Sequence, residues 1–537
     1  MEPGYYLKKA SFVFISFFVL FLTTKEANAQ LIYQPYSYHF YQKLNKAVYP
    51  INSNSHTAVK PYLISDSSVV RGLYDSLVMA AADNSQKSWV YRILFSGHAV
   101  EVKNSGYTLN ADYLPDLQLG KQLEGRRTTW LNTRGYQVSG TVGSNFFFYT
   151  SGYENQGKFA NYETDYINKT RMVPGQGYDR GLPASSKDWA YVTALIGYQA
   201  GKNITIALGE DKTFIGEGYR SILLSDYASA YPLLRLTVNL GKKVQYMAMW
   251  TYMEDQNAVQ FNSFSNNRRK WGAFHYVDWN ITNRASLGFF NAIISEEAND
   301  LGQLRGFDIN YINPVYFSSA FGPPSQVADH TLIGFNSKYK ILPKTTIYGQ
   351  LLFDQSLSSA VKGNGNAWQA GFKGWELFKV SNLNYLIEYN TASPFTYSNK
   401  YPMVNYAELS EPLADPLGAN FKEYIGILNY SLGKFDFQGE LLWAKYGLNT
   451  GNINYGKDIT LADDVNIAPG YSGTGRGLTT TLKYAEGTVA YILNPKYNLR
   501  MEIGVLLRQE SNALSNTKTI LFTVGLRSSF RDLYHDF

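Results

Sequence analysis

The chain has 537 residues, of which 45% are hydrophobic, 16% aromatic and only 17% charged, and it contains no cysteine. Without cysteine it cannot be an exported domain held by disulfides, and its net charge of +6 is spread along the chain without a basic block, which gives no reason to expect a nucleic-acid partner. Beyond the N-terminus no stretch reaches 18 consecutive apolar residues, so a chain this rich in aromatic residues and glycine can cross lipid only as a closed β-barrel.

Residues 1–29 have the features of a cleavable signal peptide. Lys8 and Lys9 form a short positive region, and an apolar run over residues 10–22 follows that is too short to span a bilayer comfortably. Ala27-Asn28-Ala29 matches a small-x-small cleavage site, so the mature chain is expected to begin at residue 30. No cysteine follows the apolar run, which excludes a lipid-anchored lipoprotein. These features predict export to the outer membrane.

Residues 30–118 differ in pattern from the rest of the chain. From Ser68 to Ala82 apolar residues recur at helical spacing, which predicts a helix. From Trp89 to Phe95 they alternate, which predicts a short strand. We expect a small mixed α/β section here, on the periplasmic side and preceding the barrel.

From about Thr128 a two-residue period takes over, and residues 119–537 are predicted to form a transmembrane antiparallel β-barrel. Leu234–Leu240 and Val244–Tyr252 alternate around a tight turn, as in the hairpin unit of outer-membrane barrels. About 410 residues, at roughly 23 per strand and connection, give about 18 strands. A water-soluble sandwich would alternate too, but the length, the signal and the aromatic residues near strand ends favour the barrel.

Longer polar segments separate some of the predicted strands, and by the usual asymmetry of such barrels we expect them to be extracellular loops. The last strand alternates from Ile520 to Phe530. Either Phe530 or Phe537 resembles the terminal aromatic residue that the barrel-assembly machinery reads. The loops are Gly152–Lys187, Met253–Lys270, Thr391–Glu411 and Tyr446–Gly477.

The stretch from Leu208 to Leu236 is unusual because it mixes glycines, charges and apolar residues between two alternating strands. A surface loop would be polar without its apolar residues, and a plain strand would lack its glycines. The mixture favours a segment that folds back against the wall and presents charges to a ligand or to the lumen. The alternative is a long glycine-hinged loop with solvated charges.

Four stretches together resemble the capsule-assembly Wzi family, in the branch that includes the gliding-motility protein RemB. They are residues 209–226 (GEDKTFIGEGYRSILLSD) with Tyr231-Pro232, residues 312–317 (INPVYF), residues 332–336 (LIGFN) with 347–354 (IYGQLLFD), and residues 413–421 (LADPLGANF). The resemblance implies an outer-membrane barrel with a small helical section on the periplasmic side. It also implies a lectin-like, non-catalytic role in holding secreted polysaccharide at the cell surface. Ile215 departs from the pattern, because an aromatic residue is expected there.

Sugar recognition uses aromatic platforms, planar polar groups and, for acidic sugars, Arg or Lys. The stretch around Arg220 supplies such groups, and a luminal salt-bridge network is the alternative role for them; the two roles can coexist. Tyrosine-rich segments at 149–166 and 397–406 could be sugar platforms, although loop packing or a membrane girdle explains them as well. The candidate ligand or network residues are Asp211, Lys212, Glu217, Tyr219, Arg220, Asp226 and Arg235.

Signals of catalysis are poor. The six histidines are scattered without metal-ligand spacing, and no Gly-x-Ser-x-Gly elbow is present. Glu210 and Asp211 are adjacent, so in a strand they would face opposite sides and could not act as an acid–base pair. Residues 471–477 lack the Lys-Ser/Thr ending of a phosphate loop. We expect neither an enzyme nor a metal or other cofactor.

The predicted function is therefore attachment or organisation of surface polysaccharide by a non-catalytic outer-membrane barrel. One alternative is a gliding-motility accessory protein, and another is a diffusion porin. An outer-membrane hydrolase is a distant third. Expected partners are surface polysaccharide, outer-membrane lipid, the barrel-assembly machinery during biogenesis, and motility or export proteins.

Overall fold

A computed structural model describes residues 31–65, 68–78, 87–181, 186–258, 267–313, 329–361, 365–468 and 473–537. The predicted signal peptide and its cleavage site lie outside these residues, and so do the end of the predicted helix at 79–82, residues 314–317 of one family-like stretch, and residues 471–472. In the parts of the chain that are described, no helix has both the length and the hydrophobicity needed to cross a membrane.

The described residues form a closed antiparallel barrel of 18 strands, as the two-residue period predicted. Neighbours in sequence pair with each other, and the last strand pairs with the first through Leu521–Gln122 to Leu526–Leu117. The strands are β1 Tyr107–Gln122, β2 Thr128–Val142, β3 Phe146–Lys158, β4 Lys187–Ala200, β5 Ile204–Asp211, β6 Tyr231–Leu240, β7 Val244–Asp255, β8 Arg268–Asn280, β9 Ala285–Glu296, β10 Asp329–Leu342, β11 Thr345–Asp354, β12 Asn366–Trp375, β13 Leu383–Ala392, β14 Phe421–Leu432, β15 Phe435–Leu448, β16 Leu478–Asn494, β17 Leu499–Ser511 and β18 Asn516–Ser528.

Alternation along each strand separates a lipid-facing side from a luminal side. On β5, Ile206 and Leu208 are exposed on the outside whereas Ala207 and Asp211 are buried inside. This division is what an apolar belt around a polar interior requires. The two ends of the barrel also differ, because short turns join the strands at one end and long connections join them at the other. We call these the short-turn end and the long-loop end.

Polypeptide fills the lumen. Lys43 of the N-terminal segment binds Asp436 on the barrel wall at 2.7 Å, and Lys340 on the wall binds the carbonyl of Pro50 at 2.9 Å. The N-terminal segment contains the short helices α1 Tyr38–Tyr41 and α2 Asn45–Val48, and helix α3 Arg71–Val78 follows this segment. The four inner segments are the N-terminal segment (31–64), the luminal loop (212–230), the inner arch (393–420) and the C-terminal tail (529–537).

Four sequence expectations need correction. Trp89–Phe95 is a helix, α4, and not a strand, because its apolar residues cover most of its circumference and so fit both periods. The barrel begins at β1, earlier than residue 119, and a short strand Val100–Lys103 pairs with the foot of β1. The charged side chains and the proline of β1 interrupt the alternation of apolar and polar residues, so the sequence did not predict this strand.

The N-terminal stretch 31–64 is also not a separate section below the barrel. Its two-residue strand Val59–Lys60 pairs with Phe214–Ile215 of the luminal loop, so the segment is packed inside the lumen toward the short-turn end. Phe537 does not lie on a wall strand either. β18 ends at Ser528, and Phe537 packs inside against Tyr166, with ring centroids 4.6 Å apart.

Candidate functional site

The luminal loop leaves the wall at the end of β5 and returns at the start of β6. It is buried along nearly its whole length, although it contains four charged side chains. Gly218 allows a close approach to the wall, because a Cβ at this position would come within 1.9 Å of a carboxylate oxygen of Glu388. That carboxylate accepts hydrogen bonds from the backbone N–H groups of Tyr219 and Arg220, both at 3.0 Å. A single wall residue therefore fixes the turn of the loop.

Arg220 is the centre of the first buried cluster. Its Nη2 lies 2.8 Å from Oδ2 of Asp536 and donates to the carbonyl of the same residue at 2.9 Å. Glu423 on β14 lies 3.5 Å away from the same nitrogen. Tyr219 donates its hydroxyl to Asp536 at 2.9 Å, and its ring lies 4.8 Å from the guanidinium of Arg220. The cluster thus joins the luminal loop, the C-terminal tail and the wall.

Glu217 is the centre of the second buried cluster. It accepts hydrogen bonds from Thr57 of the N-terminal segment at 2.7 Å and from Tyr49, and it pairs with Lys338 at 3.2 Å and Lys373 at 3.8 Å. Burial by itself raises the pKa of Glu217, but these lysines lower it to about 2 on balance. The charged carboxylate therefore ties the N-terminal segment to two wall strands through the luminal loop.

The other predicted residues have internal partners too. Asp211 accepts a hydrogen bond from the hydroxyl of Tyr33, and Lys212 donates to the carbonyl of Asp226 at 2.9 Å and to that of Gly175. Arg235 donates to the hydroxyl of Thr213 at 3.0 Å. Gly175 belongs to the connection between β3 and β4. Lys212 therefore links this connection to the luminal loop.

All seven predicted residues therefore lie inside the lumen, where they hold the inner segments together. This arrangement is the luminal network considered from the sequence. A direct contact of these residues with a ligand stays a prediction. The sequence did not predict the residues that bind these seven side chains. Those residues lie on strands and in the tail, far away along the chain. Charges on the luminal face of alternating strands were the available signal for Lys338, Glu388 and Glu423, but nothing marked Asp536.

The tyrosine-rich segments divide into buried and exposed members. Tyr397 and Tyr406 of the inner arch are fully buried, stack with centroids 5.7 Å apart, and donate hydrogen bonds to backbone carbonyls of the luminal loop. They pack the lumen and offer no platform. Tyr401, in contrast, is 46% exposed at the long-loop end, with Nζ of Lys400 4.8 Å from its ring centroid.

A second exposed tyrosine lies in the connection between β3 and β4. Tyr178 is 44% exposed, and the guanidinium of Arg171 lies 5.3 Å from its ring centroid. Each of these exposed rings thus carries a cation on one face. An aromatic face with a cation beside it suits a sugar ring that carries hydroxyls or a carboxylate.

A polar cavity of about 110 Å³ remains in the lumen between the tail and strands β15–β18. Some of its charges pair with each other or with the wall: Arg527 binds Glu502 at 2.8 Å and Asp116 at 2.8 Å, and Arg500 binds Glu502 at 2.7 Å. No group of three or more His, Asp or Glu residues in the described ranges could hold a metal ion.

Comparison with protein-family models finds no match to this sequence, and comparison with curated proteins finds none either. Solved structures of outer-membrane barrels do share the fold. Wzi of Escherichia coli, described as a carbohydrate-binding β-barrel involved in group 1 capsule assembly, superposes with a TM-score of 0.49 and 14% identity over 78% of this chain and 85% of that one. OprD of Pseudomonas aeruginosa gives a TM-score of 0.42 and 10% identity over 78% and 94% of the two chains. OccAB2 of Acinetobacter baumannii gives 0.40 and 10% over 78% and 97%. The closed antiparallel barrel itself is shown by the strand pairing of this chain, and its wall alternates as a membrane-spanning barrel requires.

Proposed function

We propose that this barrel holds polysaccharide at the cell surface through its long-loop end, without catalysis and without serving as a diffusion channel. The filled lumen carries this proposal. Four inner segments are tied to one another and to the wall by buried ion pairs, among them Arg220–Asp536 and Lys338–Glu217. Breaking such pairs leaves uncompensated buried charge, so the filling is stable and opposes an open pore.

A closed lumen leaves the outer surface of the long connections as the place for a large ligand. Tyr178 and Tyr401 are exposed there, each beside a cation. Their chemistry suits a polysaccharide with acidic or neutral sugars. The sequence resemblance to the capsule-assembly family agrees with this role.

The test uses a deletion strain in which polysaccharide is quantified in cell-attached and medium fractions. Complementation with wild type should restore attachment, whereas the double variant Tyr178→Ala/Tyr401→Ala should leave polysaccharide in the medium. Tyr113→Ala is the matched control, because Tyr113 is exposed on the lipid-facing wall of β1 and should restore attachment fully. An unchanged partition in the deletion strain would refute the proposal, and loss of spreading on agar in that case would support the motility alternative.

The porin alternative is tested separately with purified protein in planar bilayers. We expect no stable open-channel conductance from the wild-type protein. A steady conductance of porin size would contradict a filled lumen and favour diffusion as the function.

A further inference from the structure

Helix α4 lies outside the filled lumen, at the short-turn end of the barrel. The helix contacts the barrel at the turn between β16 and β17. There the side-chain amide of Asn494 donates to the carbonyls of Ile93 at 2.6 Å and Gly97 at 2.9 Å. The hydroxyl of Tyr497 donates to the same carbonyl of Ile93. Polar contacts thus fix the C-terminal half of the helix to the barrel, and within the described ranges its other faces are not buried.

Those uncovered faces are apolar. The helix reads Trp-Val-Tyr-Arg-Ile-Leu-Phe, and none of its residues is buried. At 100° per residue the six apolar side chains cover about 240° of the circumference, and only Arg92 lies in the remaining arc. Trp89 is 61% exposed and Val90 57% exposed. A helix of this composition is unfavourable in water and typical of a segment embedded at a membrane surface.

The exposed face continues the lipid-facing side of the barrel. The indole N–H of Trp89 donates to the carbonyl of Ala99 at 3.2 Å, next to Val100, which is itself exposed and pairs with Ala111 at the foot of β1. On β16 and β17, next to the turn that holds the helix, Tyr491 pairs with Met501, and both side chains are exposed on the outside of the barrel. The helix and the apolar belt therefore form one surface.

Basic groups accompany the apolar face. Lys87 and Arg92 are both exposed, and Lys87 lies 5.9 Å from the ring centroid of Tyr91. Tryptophan and tyrosine prefer the headgroup layer because their rings combine an apolar body with a polar group, and lysine and arginine extend toward phosphate from the same depth.

We propose that α4 is an interfacial anchor that lies in the headgroup layer at the short-turn side of the membrane and binds phospholipid through its apolar face, with Lys87 and Arg92 at the lipid phosphates. The occupant of this surface is lipid, because the surface is continuous with the lipid-facing belt and carries the residues of an interface. This anchor is independent of the polysaccharide role.

The absence of cysteine allows a direct test, since any introduced cysteine is the only thiol in the chain. Val90→Cys is spin-labelled in the full-length protein, which is reconstituted in vesicles of phosphatidylethanolamine and phosphatidylglycerol. Collision with lipid-soluble oxygen is then compared with collision with a water-soluble nickel complex. Met501→Cys is the lipid-facing control, and Leu514→Cys, in the turn between β17 and β18 and 82% exposed, is the aqueous control.

The label at residue 90 should collide with oxygen within about twofold of the Met501→Cys label and should be several-fold less accessible to nickel than the Leu514→Cys label. Nickel accessibility equal to that at residue 514 would overturn the proposal, because the face would then be in water. Low accessibility to both reagents would overturn it too, because protein would then cover the face. Heat-modifiable migration on gels verifies that each variant has a folded barrel, and Trp89→Phe offers a second readout through loss of a component quenched by brominated lipid.

Discussion

Arg220, in the middle of the luminal loop, binds Asp536, the penultimate residue of the chain, with Nη2 and Oδ2 2.8 Å apart and each side chain 2% exposed. The pair lies 316 positions apart in sequence. It connects the charged luminal loop to a tail that follows the last wall strand. The barrel interior is therefore assembled from segments that lie far apart along the chain.

Replacing Arg220 with alanine should strongly destabilise the protein. The change leaves Asp536 and Glu423 buried without their cation, for which a cost of about 3–5 kcal/mol is typical. Unfolding in urea, followed by heat-modifiable migration, measures the loss. Arg180→Ala is the control, because Arg180 pairs with Glu154 and Asp188 at the surface and should cost less than about 1 kcal/mol. Equal effects of the two changes would contradict the network.

Removal of the C-terminal tail should loosen the filling of the lumen. Asp532 accepts hydrogen bonds from Ser37 at 2.8 Å and from the backbone of Tyr38 at 2.9 Å, so the tail also holds the N-terminal segment. A chain that ends at Ser528 should still close the barrel but should show fluctuating conductance in planar bilayers. Traces as silent as those of the wild type would mean that the other three segments suffice to block the pore.

Stability should depend on pH through His535. Burial by itself lowers the pKa of His535, but the carboxylate of Glu163, 2.7 Å away from Nδ1, raises it to about 9 on balance. Since the folded pKa exceeds the unfolded value of 6.5, the stabilisation is fully present below pH 6.5 and is lost as the pH rises through 9.

The size of this effect should be on the order of 3 kcal/mol, because one pKa unit corresponds to about 1.4 kcal/mol. Urea midpoints measured from pH 6 to pH 10 check it. His535→Gln should remove the decline over this range while it lowers stability at pH 6. A variant that retains the full decline would assign it to another group.

Gly218→Ala should destabilise the luminal loop by about 1–3 kcal/mol, since the added Cβ would overlap the carboxylate of Glu388 that fixes the turn. Gly426→Ala is the matched control on β14, because a Cβ there meets no atom within 4 Å. Equal urea midpoints for the two variants would show that Glu388 can move away freely.

Tyr178→Ala and Tyr401→Ala should each weaken binding of purified surface polysaccharide, by about 5- to 30-fold if each ring contributes on the order of 1–2 kcal/mol, as buried aromatic contacts do. Binding to protein in nanodiscs, measured by calorimetry, checks this. Tyr406→Phe is the contrast: Tyr406 is buried and its hydroxyl bonds Leu223, so its change should reduce stability and leave affinity unchanged.

The sequence by itself determined the barrel. Lipid forces every backbone polar group to be paired, and alternation over successive strands is local, so it can be read directly from β7, β15 or β17. The sequence also marked residues 208–236 as unlike a plain strand or a surface loop. It placed Arg220 and Glu217 among the candidate residues because glycines and charges concentrate there.

Only the tertiary structure decided what those charges bind. The partners of Arg220 and Glu217, namely Asp536, Glu423, Lys338 and Thr57, come from strands and termini whose spatial proximity depends on closure of the barrel. No local pattern encodes that proximity. The tertiary structure also placed residues 31–64 and the tail inside the lumen, where Lys43 pairs with Asp436 on the wall and Asp536 pairs with Arg220 of the luminal loop. A buried charge is costly unless it is paired, so these contacts hold both segments inside.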